Sequence, residues 1–126
     1  MCGQQDKSLF GSNMTEHQMQ VKLVQYIRTF YPEILIFAIP NGAAVSGKNR
    51  LRLYKEGLLS GVPDIFIATP LNGFNGLFIE LKTLTGIESN NQKRIREVLI
   101  NNGYLVYVAR QLDTALNLIE DYINGH

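Results

Sequence analysis

The 126-residue chain has one cysteine and two histidines, far apart from one another. Cys2 has no partner for an intramolecular disulfide, and Cys2, His17 and His126 are too scattered to build a zinc site. Both facts fit a reducing compartment, so a cytoplasmic setting is expected, in a cell or in the host of a virus. Long apolar runs are missing too. The longest, Ile34 to Ile39, falls far short of the roughly 20 residues that span a bilayer, so no membrane partner is expected. The opening residues, Met1-Cys2-Gly3-Gln4-Gln5-Asp6-Lys7, lack the apolar stretch of a secretory signal. Charge of one sign is also lacking: 12 Lys plus Arg against 11 Asp plus Glu leave a net charge of +1. A globally basic DNA-coating protein is thereby excluded, and any nucleic-acid contact must come from a local patch.

What is present describes a folded domain. Hydrophobic residues make up 45% of the chain and charged residues 18%, which excludes a wholly disordered chain. The length suits one domain with a continuous core. Residues 1–13 are polar and aperiodic, and are expected to form a loose arm or an appended remnant, with Met14 an alternative start. The domain is expected over 14–126.

Periodicity then orders the elements. Thr15 can cap a helix to about Phe30, in which Met19, Leu23, Ile27 and Phe30 recur at helical spacing. Pro32 stops it. Ile34 to Ile39 reads as a fully apolar, buried strand closed by Pro40-Asn41-Gly42. Arg50 to Leu59 is weakly helical, with Leu51, Tyr54 and Leu58 on one side. Gly61-Val62-Pro63-Asp64 turns into an apolar strand over 65–68. A short connection leads to another strand over 77–82, and the pair is expected to be antiparallel. Ser89 and Gln92 have capping-box spacing ahead of a helix to about Asn102, which Gly103 ends. A strand over 104–108 follows. Asp113 is expected to cap a last helix that Gly125 ends. The whole predicts an α/β fold, a mixed four-stranded sheet flanked by helices.

The chemistry concentrates around two of these strands. Asp64 stands at the mouth of one. Glu80 and Lys82, two residues apart in the next, point to the same face, and Leu81 points the other way into a core. Every residue of 77–81 except Glu80 is apolar, and a carboxylate in such a run needs a cation. Lys82 can be that cation. The sharper reading is a metal ion shared by Asp64 and Glu80, for which oxygen ligands suit Mg²⁺ or Mn²⁺.

Asp64 followed by Glu80-Leu81-Lys82 resembles the PD-(D/E)XK nuclease signature, with Pro63 as the leading proline. With Pro40-Asn41-Gly42, Gly61-Val62-Pro63-Asp64-Ile65, Ile79-Glu80-Leu81-Lys82 and Gln92 in this order, the chain is similar to the VRR-NUC family, the virus-type replication-repair nuclease domain. The resemblance covers nearly all of 14–124 and implies a restriction-endonuclease-like αβββαβ core. It also implies a metal-dependent DNA endonuclease acting on branched DNA, such as a Holliday junction or flap. Asp64, Glu80, Glu16 and the Leu81 backbone carbonyl would be metal ligands for Mg²⁺ or Mn²⁺. Lys82 would be the catalytic lysine, and Gln92 matches the glutamine of the following helix. Family members often carry a basic residue soon after the Pro-Asn-Gly motif. Here Ala43 and Ala44 follow instead, and Lys48 or Arg50 stands in for it.

Each residue also has a plainer reading. Glu16 in a first turn complements the helix dipole. Gln92 closes a capping box. Asp64 suits a turn after Pro63. Lys48, Arg50, Arg52 and Lys55 can be a solvated helix face or a phosphate-binding patch with Asn41. Lys93, Arg94 and Arg96 form a second basic cluster. Tyr54, Tyr104 and Tyr107 can stack on bases, but at their spacing core positions are commoner. His17 reads as an exposed histidine. The alternatives in function are a non-catalytic nucleic-acid-binding or assembly module on the same fold, and a restriction-type duplex endonuclease. Symmetric cutting of a junction needs two sites, so a homodimer is expected, with Leu58, Leu59, Leu71 and Phe74 as apolar residues spare for its interface.

Overall fold

The Thr15 hydroxyl accepts the Gln18 N–H at 3.1 Å, and the Gln18 side chain accepts the Thr15 N–H at 3.0 Å. This reciprocal cap starts α1, Glu16–Phe30. The computed structural model describes residues 14–40 and 46–125. The other elements are β1 (Ile36–Ala38), α2 (Gly47–Lys55), β2 (Ile65–Ile67), β3 (Leu77–Leu81), α3 (Asn90–Asn101), β4 (Leu105–Ala109) and α4 (Leu112–Asn124). The expected arm and Asn41 lie outside the described residues.

The sheet runs in the order β1-β2-β3-β4. β1 with β2 and β2 with β3 pair antiparallel, and β3 with β4 pairs parallel, with α3 as the crossover. On one face, Ile36, Ile65, Ile67, Leu77, Ile79 and Leu81 pack against Met19, Leu23 and Ile27 of α1 and Leu116 and Ile119 of α4. Each such buried side chain contributes about 1.5–3 kcal/mol. The hydroxyls of Tyr26 and Tyr31 both donate to Glu120 Oε2, at 3.2 and 2.9 Å, and tie α1 to α4 with a buried carboxylate. The opposite face carries an aromatic row. Phe66 and Phe78 stack at 4.3 Å, and Phe37 and Tyr104 meet them edge-on. α3 covers part of this face and buries Ile95.

Four expectations need correction. The strand expected over 34–39 is only Ile36–Ala38, and it is not fully buried: Ile34 and Ile36 are buried, while Leu35 and Phe37 are exposed. β1 is the edge of the sheet, so only its core-facing side is covered. The short helix starts earlier, at Gly47, and ends at Lys55. None of its residues is buried, so neither Leu51 nor Tyr54 faces the core. Asp113 is not the cap of α4. Leu112 is drawn into the core and starts the helix after Gln111, so Asp113 sits in the first turn, where its charge still suits the dipole. Leu71 and Phe74 are not spare for an interface, because both pack against the core.

Candidate active site

The β2–β3 register pairs Ile65 with Ile79 and Phe66 with Phe78. One step further along this antiparallel pair, Asp64 stands opposite Glu80. Directly opposed residues share a face of the sheet, so both carboxylates lie on the aromatic face, at the end of the row. Leu81 alternates to the other side, where it is buried in the core, as expected.

The backbone holds Asp64 in place. Its carbonyl accepts the Ile39 N–H at 2.7 Å, which continues the β1–β2 ladder. Its Oδ2 accepts the Leu81 N–H at 2.7 Å. The approach to Asp64 needs glycine. Gly61 has φ +95, and a Cβ there would sit 2.9 Å from the carbonyl carbon and oxygen of Asn91. The absence of a side chain lets the lead into β2 rest on the first turn of α3.

That first turn delivers Gln92. Its Oε1 accepts the Ser89 N–H at 2.8 Å, and its backbone N–H donates to Ser89 Oγ at 3.1 Å. Its Nε2 donates to Glu80 Oε2 at 3.0 Å. The capping reading and the site reading therefore hold together. Lys82 brings its ammonium to 4.0 Å from the same Glu80 oxygen, and both side chains are largely shielded from water. Beyond Lys82, Arg110 donates to the carbonyls of Thr83 and Gly86, fastening the loop that follows β3. Nothing in the local sequence around Arg110 announces that role.

Burial dominates the electrostatics. It pushes the Glu80 carboxyl up to about 8, helped by the charge of Asp64 and of Glu16 and opposed by Lys82. Burial also raises Asp64, against the lowering effect of the Leu81 N–H. Two facing carboxylates of this kind share a proton at neutral pH unless a cation replaces it.

Asp64, Glu80 and Gln92 line a cavity of about 410 Å³, together with Glu16, Arg50 and Tyr54. Glu16 is exposed in the first turn of α1 and acts on Glu80 through its charge. Among the described residues, no three His, Cys, Asp or Glu side chains are gathered into a ready metal cluster. The structure thus brings Asp64, Glu80, Lys82 and Gln92 together, with Glu16 and Arg50 at the wall. Lys48, Arg52 and Lys55 are exposed on α2, and Lys93 and Arg94 are exposed on α3. Arg96 is engaged by Glu88 at 3.1 Å. His17 is exposed and lies on a separate cleft with Gln20 and Arg28. Tyr104 belongs to the aromatic row and Tyr107 packs on the core. Tyr54, whose spacing suggests a core residue, is instead 39% exposed and lines the cavity.

An αβββαβ core with a carboxylate pair, a lysine and a glutamine at one end of the sheet is a nuclease-type fold. The VRR-NUC domain family matches residues 13–111, and the chain belongs to that family. A solved structure of a VRR_NUC domain protein is similar with a TM-score of 0.75, covering 88% of this chain and 89% of its own at 23% identity. No curated protein matches the chain significantly. No helix among the described residues is long and apolar enough to cross a membrane.

Proposed function

We propose that the chain is a metal-dependent DNA endonuclease that hydrolyses phosphodiester bonds in branched DNA, of the Holliday-junction or flap kind. The observation that carries this reading is the opposition of Asp64 and Glu80 across β2 and β3, with Lys82 and Gln92 both on Glu80. The donor set fits a hard divalent cation. Two facing carboxylates that otherwise share a proton offer oxygen ligands and a charge deficit that such an ion fills. Asp64, Glu80 and the Leu81 carbonyl would hold Mg²⁺ or Mn²⁺, with Glu16 contributing from α1. When bound, the ion supplies Lewis acidity toward the phosphate and lowers the pKa of water.

The protein's own groups do the rest. The Leu81 N–H fixes the Asp64 carboxylate, and the Gln92 amide fixes Glu80. The Lys82 ammonium lies where it can orient the attacking water or stabilise charge that builds on the phosphate in the transition state. The exposed cations of α2 and α3, Lys48, Arg52, Lys55 and Lys93, supply phosphate contacts along the backbone of the DNA. A C₂ homodimer would offer two sites for paired incisions.

The deciding experiment incubates the protein with duplex, flap, three-way and four-way DNA in Mg²⁺, in Mn²⁺ and in chelator. Internal cleavage of branched DNA only with metal is expected. No cleavage of any DNA in either metal would leave a non-catalytic nucleic-acid-binding module. Preferred cleavage of unbranched duplex would favour a restriction-type enzyme.

A further inference from the structure

α2 is unusual in this fold because none of its residues is buried. Local sequence does little to support it. The Ser46 side chain makes no capping bond, and the first turn has no acidic residue but does contain Lys48, whose charge opposes the dipole there. Leu51 is 58% exposed and Tyr54 39%. A helix poorly capped, unburied and yet apolar on its outside departs from the local rules that the rest of the fold obeys, and such departures gather at functional sites. Arg50 and Tyr54, four residues apart, lie on one helix face, and both line the cavity that holds Asp64 and Glu80. In the aromatic row of the sheet, Phe66, Phe78 and Tyr104 are packed against one another, and Phe37, though exposed, does not line this cavity.

We propose that Tyr54 is the platform on which the nucleobase beside the scissile phosphate stacks, so that the site selects a nucleotide already released from duplex stacking. Inside a duplex both faces of a base are covered by its neighbours. A side chain on the wall of the active cavity can reach a base face only at an unpaired or branched position. Stacking accepts any base, since every base has a π-face, so the selection is for structure rather than sequence. Tyr54 is then a specificity-determining residue, and the exposure of α2 is the exposure of a surface that DNA covers.

This inference rests on the nuclease reading of the same cavity, and its test is kept apart from cleavage. Single-stranded and fully paired oligonucleotides of one sequence, carrying 2-aminopurine, are titrated in chelator at low salt with the wild type, Tyr54→Phe and Tyr54→Leu. Wild type and Tyr54→Phe are expected to quench the single-strand fluorophore and to bind alike. Tyr54→Leu should lose the quench and about 5- to 150-fold in single-strand affinity, the range that one base–aromatic stack is worth, with duplex affinity nearly unchanged. Equal quenching by Tyr54→Leu, or equal losses on both DNAs, overturns the proposal. Should the leucine variant not fold, Tyr54→Trp replaces it: a raised single-strand preference is expected, and an unchanged one overturns the proposal. Absent cleavage by the wild type overturns the nuclease reading alone, and the binding ratios still decide Tyr54.

Discussion

One side-chain amide joins Gln92 to Glu80 while closing a helix cap: Oε1 accepts the Ser89 N–H at 2.8 Å and Nε2 donates to Glu80 Oε2 at 3.0 Å. The start of α3 and the orientation of the carboxylate therefore fail together. Gln92→Ala should lower stability by about 1 kcal/mol, a usual value for removing a cap, and cut cleavage at least tenfold, on the order of one positioning hydrogen bond. Gln92→Glu keeps the cap acceptor but faces Glu80 with a second carboxylate. It should regain stability without regaining cleavage. Urea unfolding beside single-turnover cleavage separates the two effects.

The shared proton makes stability depend on pH. In the unfolded chain Glu80 returns to the ordinary carboxylate value near 4.5, whereas in the fold it lies at about 8. The folded state thus binds more protons between these values, and its metal-free stability should fall as pH rises from about 5 to 8. Below that window the contribution is fully present. Glu80→Gln should flatten this slope, match or exceed the wild type in stability at pH 8 in chelator, and abolish cleavage. Asp64→Asn should abolish cleavage with a small effect on stability. Melting temperatures across pH, in chelator, test the slope. A wild-type curve rising through this window would refute the protonated pair.

Metal entry should expel that proton. Calorimetric titration with Mn²⁺ at pH 7 in buffers of different ionisation enthalpy should report release of up to about one proton per site, and Glu80→Gln should remove the release. A heat independent of buffer would show that the ion binds elsewhere.

On the proposed role of Lys82, Lys82→Ala should reduce cleavage by roughly a hundredfold or more while changing DNA affinity little, the signature of a group that acts in the transition state. Lys82 also lowers the Glu80 carboxyl. Its removal should shift the pH dependence of Mn²⁺ binding toward higher pH. Equal losses in binding and cleavage would recast Lys82 as a phosphate anchor.

Replacing Lys48, Arg52 and Lys55 together by Ala should weaken binding to every DNA and reduce the salt slope by up to about 0.9 for each phosphate no longer neutralised. Arg96, paired to Glu88 at 3.1 Å, should matter less to the slope than any of these. Binding measured across a salt series decides between a phosphate patch and a solvated face.

Much of the site was legible because its signals are local or alternate simply. Thr15 with Gln18 and Ser89 with Gln92 announce helix starts through the spacing of a capping box. A single carboxylate in the apolar run 77–81 announces itself by its desolvation. The misplaced features depend on distant neighbours. An apolar run such as Ile34 to Ile39 reports what a strand is able to bury, and whether a second layer exists to cover Leu35 and Phe37 is settled by the edge position of β1. Asp113 looks like a cap until the burial of Leu112 fixes where α4 begins. Tyr54 has the spacing of a core residue, but no residue of α2 is buried and Tyr54 lines the cavity instead.

Because Asp64 and Glu80 face each other through strand register, the connection between β2 and β3 can lengthen or shorten without moving either carboxylate. The gap separating them in sequence is elastic, whereas the two-residue step from Glu80 to Lys82 is rigid, being set by the pleat of one strand. Insertions in related chains should accumulate at the exposed turn between Leu71 and Phe74, the two residues that pack against the core, and be shut out of 80–82. Leu71 and Phe74 anchor that connection to the core, so a peptide tag or a reporter is best grafted at its exposed tip, Gly73, where a side chain would meet nothing.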